Sequence, residues 1–430
     1  MKVLSDPNKF VMRVLGTQTP EEGVKFRESR FVITEGDAKY NTLTGESLLC
    51  ADEETLIKRW FLFPEDMDET ILAYMVRQKW LQNADGPGSQ IKRKFIIFTT
   101  TMCNANCIYC YENGVKEMSM QKETAKDVAE YIMSHSNRDN EIRIRWFGGE
   151  PLANQTAIGI IADRLNEEGV RFTSEIFTNG DLLPKVRNEF LRALHIDHIQ
   201  LTADDIGSEY DRIKGLPDGA WERLTGTMHR LSGLGIKVHL RTHYHPGEGP
   251  EAPIRVIDAV KDIERVRPYC TMLYEGGSEE DYRGLLKVEE HLVELGKRTE
   301  KFPVLRFGTS CMADNRKVAC ITTDGHLSPC EHHPYGENYG SIYEKKYDQS
   351  VLKRWKAKTR NHCGKCALYP SCGKQALCPA AGSCSEAEVD YQTEIIRKAM
   401  RAKIDDLHGN TDSERTFALE PDKRQGNRKL

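Results

Sequence analysis

The sequence has no long hydrophobic run and no marked excess of charge. No apolar stretch reaches the roughly 20 residues that a membrane-spanning helix needs, and the N-terminus, MKVLSDPNKFVMRVLG, lacks the apolar core of a signal peptide. The formal net charge is −4 over 430 residues, so the chain as a whole is not attracted to nucleic acid or to an anionic membrane. We therefore expect a cytoplasmic protein that binds neither.

Internal repeats and low-complexity tracts are also missing. Hydrophobic residues make up 39% and charged residues 29% of the chain, which is typical of a soluble globular protein. Its length suits one large domain with one or two smaller ones. The last 25 residues, from about Asp405, are polar and charged, and we expect them to be disordered.

Cysteine, in contrast, is abundant and clustered. Of 13 cysteines, three lie within residues 103–110 and eight lie within residues 311–384. Disulfides are rare in a reducing compartment, where clustered cysteines more often bind metal. The isolated Cys50 and Cys270 are expected to be inert thiols, because free cysteine behaves as a small hydrophobic residue.

Residues 93 to about 300 alternate between strand and helix patterns. Helical periodicity is seen at 122–135, 157–169 and 220–235, and six β-rich runs occupy 93–101, 141–148, 171–180, 195–203, 237–244 and 268–276. Such β/α units predict a parallel sheet with right-handed crossovers. The expected fold class is α/β, as a partial (β/α)6 TIM-like barrel or an open doubly wound sheet.

Unusual residues follow the ends of four successive strands. Cys103 follows the first strand, FGGEPL ends the second, TNG ends the third, and Asp204-Asp205 ends the fourth. Because the carboxyl ends of parallel strands lie at one edge of a sheet, these residues should meet there. The sequence therefore predicts a functional site at that edge.

The regions flanking the barrel have patterns of their own. Before it, RFVITEGDAKYNTLTGESLLC predicts a hairpin turning at Thr44-Gly45, with helices at 52–61 and 67–82; this α+β module could bind a peptide along its strand edge or cover the barrel. After Cys384, Ser385 and Glu388 form a capping box that predicts a helix. The expected domains are an N-terminal module, a barrel, a cysteine-rich domain and a C-terminal helix with tail, at 1–90, 91–300, 301–385 and 386–430.

Cys103, Cys107 and Cys110 lie in the motif CNANCIYC. Three thiolates can ligate three irons of a four-iron cluster and leave the fourth open, as a catalytic metal keeps one free position. The motif resembles the CxxxCxxC loop of radical S-adenosylmethionine (SAM) enzymes. In that family the open iron binds SAM, and one electron from the cluster cleaves it to a 5′-deoxyadenosyl radical. A zinc knuckle or three unconnected core cysteines is the alternative.

Other residues resemble the SAM-binding motifs of that family. Gly148, Gly149, Glu150 and Pro151 match its GGEP motif, which contacts the methionyl amine, and Glu150 could accept hydrogen bonds from an ammonium or a ribose hydroxyl. The remaining candidates are Tyr109 for packing against adenine, Asn179 for lining the SAM pocket, and Arg212, Lys214 and Arg241 for the SAM carboxylate and ribose.

The C-terminal cysteine block resembles the SPASM domain, which carries two auxiliary four-iron clusters in many radical SAM enzymes. The pattern is met by Cys311, Gly325, Cys330, Cys363, Cys366 and Cys372, while the spacing of Cys378 and Cys384 departs from it. By order, one cluster would take Cys311, Cys320, Cys330 and Cys378, and the other Cys363, Cys366, Cys372 and Cys384. Two structural zinc ions are the alternative. Glu331 stands where sulfatase-maturating relatives have an aspartate proposed as a base.

The resemblance implies a radical SAM oxidoreductase with three [4Fe-4S] clusters and SAM as cofactors. SPASM enzymes mostly modify peptides, so we expect a peptide maturase that abstracts a hydrogen and forms a thioether, carbon–carbon or carbon–oxygen crosslink. Its partners would be a peptide or protein substrate, with or without a leader segment, and an electron donor such as flavodoxin or ferredoxin. The alternatives are a formylglycine-forming sulfatase maturase, a small-molecule dehydrogenase, and a zinc-stapled binding module without enzymatic activity.

Overall fold

The computed structural model describes two parts of the chain: short strands near the N-terminus, and most of the chain from residue 94 onward. The described residues are 27–28, 32–35, 38–41, 46–49, 62–63, 94–136, 140–273, 277–297, 318–332, 334–355 and 385–409. No helix within these ranges is both long and apolar enough to cross a membrane.

Strands and helices are numbered here in chain order. The strands are β1 Arg27–Glu28, β2 Val32–Glu35, β3 Ala38–Asn41, β4 Glu46–Leu49, β5 Leu62–Phe63, β6 Lys94–Thr100, β7 Ile142–Gly148, β8 Phe172–Phe177, β9 Ile196–Thr202, β10 Lys237–Tyr244, β11 Val266–Met272, β12 Val318–Ile321 and β13 Leu327–Ser328. The α-helices are α1 Lys122–His135, α2 Gln155–Glu167, α3 Asn188–Ala193, α4 Gly207–Lys214, α5 Ala220–Gly233, α6 Glu251–Val260, α7 Glu279–Glu294, α8 Gln349–Arg354 and α9 Glu386–Gly409.

The central sheet confirms the predicted α/β class. Strands β6 to β11 pair in chain order and all run parallel, as expected for a partial TIM-like barrel. Along β7 the side chains alternate: Ile144 and Trp146 are fully buried against the helices, whereas Arg145 and Phe147 are only partly buried on the opposite face. This period of two gives the barrel an apolar layer under its helices, while the opposite face carries both the charged Arg145 and the apolar Phe147.

Two further strands extend the sheet beyond the six that the sequence predicts. Strand β12 pairs parallel to β6, with Cys320 opposite Ile96, and β13 pairs antiparallel to β12. The two strands are only four and two residues long and lie in a cysteine-rich segment, so the sequence gives little strand signal. The consequence is that the start of the C-terminal cysteine block is joined to the barrel.

The N-terminal strands differ in number from the prediction. Instead of one hairpin, β2, β3 and β4 form a three-stranded antiparallel sheet. The predicted turn at 44–45 does lie between β3 and β4, but a second reversal separates Glu35 from Ala38 and was missed. The helices predicted at 52–61 and 67–82 lie outside the described residues.

The C-terminal helix α9 begins where the capping box predicts. The Ser385 hydroxyl accepts a hydrogen bond from the Glu388 backbone N–H at 3.1 Å. The helix continues to Gly409, so the prediction of disorder from Asp405 is wrong for its first five residues. Helix α9 packs against α7, β2 and β3, and Ile396 and Ile33 are both buried. The N-terminal sheet and the C-terminal helix are therefore in contact.

Candidate active site at the carboxyl ends of the strands

The three clustered cysteines lie in a loop that closes on itself directly after β6. At its neck the Thr101 N–H donates to the Met118 carbonyl at 2.9 Å, and the Met120 N–H donates to the Thr99 carbonyl at 2.9 Å. We call residues 101–118 the cysteine loop. Its ends are fixed by the barrel, so its middle is held over the carboxyl edge of the sheet.

Cys103 and Cys110 are exposed and Cys107 is partly exposed. Partial desolvation by the loop raises the pKa of the Cys103 thiol to about 11 and also raises the pKa of Cys107 and Cys110. Within the described ranges, no group of three or more His, Cys, Asp or Glu side chains is arranged around a single ion. A four-iron cluster does not need such convergence, because each cysteine binds a different iron.

Gly148 and Gly149 allow β7 to approach the cysteine loop closely. A Cβ on Gly149 would lie 2.5 Å from the Thr101 carbonyl oxygen and 2.7 Å from that of Met102, and Gly148 has a φ of +127°. The Gly149 N–H donates to the Thr100 carbonyl at 3.0 Å. The two glycines therefore let the end of β7 lie against the backbone that carries the cysteines.

Glu150 faces the interior rather than a ligand cavity. Its carboxylate is fully buried and accepts hydrogen bonds from the Thr178 hydroxyl at 2.8 Å, the Asn179 N–H at 2.9 Å and the Leu152 N–H at 3.0 Å. Burial raises its pKa to about 7. In this structure Glu150 joins the GGEP segment to the TNG segment, which differs from the predicted contact with an ammonium or ribose. The next residue, Pro151, is also buried and starts a 3-10 helix.

Asn179 does lie beside the cysteine loop. Its side-chain amide donates to the Asn104 side-chain oxygen Oδ1 at 2.9 Å and lies 3.6 Å from the Cys103 sulfur. The third strand therefore meets the first cysteine, as expected from the strand order. Sequence reasoning missed Asn104, although its place directly after Cys103 would have marked it.

Tyr109 and Lys214 meet at a buried carboxylate. The Tyr109 hydroxyl donates to Asp204 and accepts from the Lys214 ammonium, and that ammonium lies 3.3 Å from the Asp204 oxygen. His243 Nδ1 lies 2.6 Å from the other Asp204 oxygen. Despite its burial, Asp204 has a pKa well below the usual range because Lys214 and His243 stabilise the anion. Lys214, predicted to bind SAM, is thus already paired within the protein.

The two arginine candidates lie in different places. Arg212 is exposed on α4 and pairs with Glu209, with 2.9 Å between Nε and a carboxylate oxygen, so nothing in the structure draws it toward the cysteine loop. Arg241 is partly buried on β10, and its Nε donates to the Thr271 hydroxyl at 3.0 Å. Among the described residues, Arg241 has no carboxylate partner.

Glu331 is tied to the barrel by a charge cluster that sequence reasoning missed. Arg145 donates to both Glu331 oxygens, at 2.6 and 2.8 Å, and to Glu175 at 2.6 Å. Glu175 also accepts from Lys94 at 2.7 Å. Although burial opposes it, Arg145 and Lys94 lower the pKa of Glu175 to about 2. The sequence did contain a signal for this cluster, namely charged residues at alternate strand positions. A sheet face exposed to solvent gives the same pattern, so the signal could not be distinguished.

Two of the eight C-terminal cysteines lie in the described part of the chain. The β12–β13 hairpin brings Cys320 and Cys330 near each other, and both are buried. Gly325 has a φ of +84° in the turn between these strands. The other six, Cys311, Cys363, Cys366, Cys372, Cys378 and Cys384, lie outside the described residues, as does Cys50. Cys270 is buried in β11, and burial raises its pKa to about 12.

Comparison with known families agrees with this geometry. Residues 97–260 match the model of the Radical SAM superfamily, and this range includes the cysteine loop, GGEP and TNG. The chain therefore contains a radical SAM domain, and the family resemblance seen in the sequence is confirmed at that level. Members of this superfamily use SAM and a four-iron cluster.

Similarity to individual proteins is partial. The chain is 36% identical over 106 residues to uncharacterized protein MJ0907 of Methanocaldococcus jannaschii, and 30% identical over 144 residues to the radical SAM cyclopropyl synthase TigE of Paramaledivibacter caminithermalis. These matches cover 24% and 29% of this chain but only 36% and 30% of the two relatives. A probable GTP 3′,8-cyclase of Methanocella arvoryzae is 24% identical over 253 residues, covering 54% of this chain and 80% of that protein.

Solved structures share the fold. The AdoMet-bound structure of tagged anSMEcpe superimposes with a TM-score of 0.56 at 16% identity, covering 74% of this chain and 96% of that one. The same TM-score and identity are found for native anSMEcpe with AdoMet and the Kp18Cys peptide, at 74% and 99% coverage. At this identity the similarity supports the fold alone.

The residues present fit an iron–sulfur cluster with SAM. The donor set is three cysteines on one loop, two of them exposed, and thiolates are the ligands of such clusters. Gly149 and Asn179 border the same loop. The site thus offers cluster ligands and a polar surround at the edge where ligands of parallel sheets bind.

Proposed function

We propose that this protein is a radical SAM peptide maturase that oxidatively forms a thioether, carbon–carbon or carbon–oxygen crosslink in a ribosomally made peptide. The observation that carries the radical chemistry is the cysteine loop, which the neck hydrogen bonds and the close packing of Gly149 hold at the carboxyl edge of the barrel. Cys103, Cys107 and Cys110 would ligate the cluster, and Tyr109, Asn179, Lys214 and Arg241 would surround SAM.

The cluster and SAM together would supply a 5′-deoxyadenosyl radical. The peptide would lose one hydrogen atom to that radical, and would then lose one electron and one proton as the new bond forms. Overall the peptide loses two hydrogens. The electron needs an acceptor and the proton needs a base, and the C-terminal cysteine block is our candidate for providing both.

We place two auxiliary clusters in a SPASM domain over residues 301–385. Cys320 and Cys330 support this because the β12–β13 hairpin brings them together at the β6 edge of the barrel. Glu331 follows Cys330 and is held against the barrel wall by Arg145, with two oxygens at 2.6 and 2.8 Å. A carboxylate fixed in this position is our candidate base.

The N-terminal sheet is our candidate for binding the peptide outside the barrel. Helix α9 packs against β2 and β3, whereas β4, among the described strands, has only β3 as its neighbour. A strand edge can bind an extended peptide through backbone hydrogen bonds. Peptide binding by a protein of this fold is supported by the Kp18Cys complex of anSMEcpe. We further propose flavodoxin or ferredoxin as the electron donor.

The function is tested by anaerobic co-expression with a short peptide encoded beside this gene, followed by intact mass measurement. A loss of two hydrogens is expected, and the loss should disappear when Cys103, Cys107 and Cys110 are all replaced by alanine. Fragmentation would then locate the new bond. An unchanged mass, from protein that binds iron and cleaves SAM, would reject that peptide as the substrate.

The role of the N-terminal sheet needs a separate experiment. Deletion of residues 1–90 should abolish turnover of the peptide that carries its leader and should leave cleavage of SAM intact. Equal turnover of leader-bearing and leaderless peptides by the deletion variant and the full chain would show that this region only covers the barrel.

A further inference from the structure

The buried network around Tyr109 links β9, α4 and β10 to the cysteine loop, through Asp204, Lys214 and His243. Tyr109 lies between Cys107 and Cys110 in the sequence, and its hydroxyl contacts both Asp204, which follows β9, and Lys214, at the end of α4. The Lys214 and Asp204 side chains are 3% and 0% exposed. An ion pair this deep is screened little by water or salt, so its charges act on whatever lies beside it.

The end of α4 is bonded directly to the backbone of the cysteine loop. The Asn106 N–H donates to the Lys214 carbonyl at 2.9 Å, and the Ile108 N–H donates to the Ile213 carbonyl at 3.1 Å. Gly215 closes the contact, because a Cβ there would lie 2.7 Å from the Asn106 carbonyl oxygen. The residues on both sides of Cys107 are therefore fixed to the helix end that carries Lys214.

The two charges are placed unequally with respect to the loop. Lys214 contacts the loop through both its backbone and its ammonium, which also lies 5.0 Å from the centre of the Tyr109 ring. Asp204 is held on its far side by His243, whose backbone N–H and Nδ1 both lie within 3.1 Å of one carboxylate oxygen. Both charges therefore contact the loop at the Tyr109 hydroxyl, and Lys214 is in addition joined to the loop backbone beside Cys107.

We propose that Lys214 and Asp204 set the reduction potential of the cluster held by Cys103, Cys107 and Cys110, and that Tyr109 is the positioning residue that fixes their geometry against the loop. This inference rests on the proposed function. A fixed positive charge near a cluster favours the reduced form, which is one electron more negative. A neighbouring carboxylate acts in the opposite direction. In this network Lys214 makes the cluster easier to reduce, and Asp204 limits that effect.

The test is a redox titration of the reconstituted full chain without SAM, monitored by electron paramagnetic resonance. Lys214→Met should lower the potential and Asp204→Asn should raise it, each by at least a tenfold change in the reduction equilibrium constant, or 59 mV for one electron. The double variant should fall between the two single variants. Lys214→Arg keeps the charge and should restore most of the wild-type potential.

Control variants separate the charge effect from a general disturbance. Arg192→Met removes a positive charge that is 72% exposed and should shift the equilibrium constant less than twofold. Tyr109→Phe keeps the ring but loses the hydroxyl, so it should speed amide hydrogen exchange at residues 104–110 while leaving α1 unchanged.

The outcomes are distinct. Shifts of the same sign in Lys214→Met and Asp204→Asn, or no shift in either, would overturn the electrostatic role. Unchanged exchange in Tyr109→Phe would overturn the positioning role. If the protein binds no reducible cluster at this loop, the proposed function itself fails; an iron content that does not fall when Cys103, Cys107 and Cys110 are replaced by alanine would show this before any titration.

Discussion

At the scale of single residues, the two glycines of the GGEP segment show what the sequence could and could not tell. A Gly-Gly pair at the end of a strand permits a close backbone approach. It does not identify the partner, and in this structure Gly149 approaches the carbonyls of Thr101 and Met102. Glu150 likewise turns inward to Thr178 and Asn179. The contacts of Gly149 and Glu150 both depend on a neighbouring strand that is distant in sequence.

Gly149→Ala tests this contact. The added Cβ would lie 2.5 Å from the Thr101 carbonyl oxygen, so the cysteine loop must shift, at a cost of about 1–3 kcal/mol. We expect a lower free energy of unfolding and a loss of iron bound at Cys103, Cys107 and Cys110. The control is Gly226→Ala in α5, where nothing lies within 4 Å of the new Cβ; it should stabilise the protein by about 0.5–1 kcal/mol. Normal iron binding by Gly149→Ala would contradict the contact.

Glu175→Gln tests the charge cluster in the barrel wall. The substitution leaves Lys94 and Arg145 without this partner, and we expect a loss of about 1–3 kcal/mol at pH 7. Because the folded-state pKa of Glu175 is about 2 and its ordinary value is about 4.3, the carboxylate contributes stability above about pH 4.3. That stability is lost as the pH falls toward 2.

Denaturant unfolding of cluster-free protein at several pH values measures the effect. The difference in unfolding free energy between wild type and Glu175→Gln should shrink as the pH falls from 4.5 toward 2. A difference that stays constant over that range would show that the ionised carboxylate contributes nothing.

At the scale of elements, a strong periodicity of apolar residues was sufficient to predict an element that packs by one face. Helix α1 occupies Lys122–His135, as predicted, because its apolar residues recur every three to four positions. Strands β12 and β13 were missed because they are short, and they are strands only because β12 pairs with β6 and β13 pairs with β12. The second reversal in the N-terminal sheet was missed for a similar reason, since EGDA carries a turn signal weaker than TGE.

The start of α9 offers a test at this scale. Ser385→Ala removes the hydroxyl that accepts from the Glu388 N–H at 3.1 Å, and we expect the helix to lose about 1 kcal/mol. Hydrogen exchange should become faster over residues 386–390. Ser385→Asp retains a capping oxygen and should exchange like wild type. Equal protection in Ser385→Ala would mean that packing against α7 alone fixes the helix start.

At the scale of the whole molecule, the added strands connect two regions that the sequence treats separately. Cys320 lies opposite Ile96 in the barrel sheet, and Arg145 bridges Glu331 and Glu175. Our proposed auxiliary site and the barrel interior are therefore joined by backbone pairing and by an ion pair. Helix α9 likewise joins the C-terminal region to the N-terminal sheet.

Iron content tests the proposed assignment of clusters. Replacing Cys103, Cys107 and Cys110 by alanine should remove about one third of the iron, since three clusters of equal size are proposed. Replacing Cys320 and Cys330 should lower the iron content independently of that loss. It should leave intact the change that SAM addition causes in the electron paramagnetic resonance signal. Cys270→Ala is the control, because Cys270 is a buried core thiol in β11. Stoichiometric zinc in place of iron in the C-terminal block would contradict auxiliary iron–sulfur clusters.

The sequence by itself determined the β/α order, the barrel strands and the motif in which Cys103, Cys107 and Cys110 lie, because these depend on local periodicity and short spacing. Only the tertiary structure decided which side chains pair across strands. Asp204 meets Lys214 and Tyr109, and Arg145 meets Glu331, 186 positions away. A charged residue on a strand can either face solvent or be buried in an ion pair. The closure of the sheet determines which of these two environments it has.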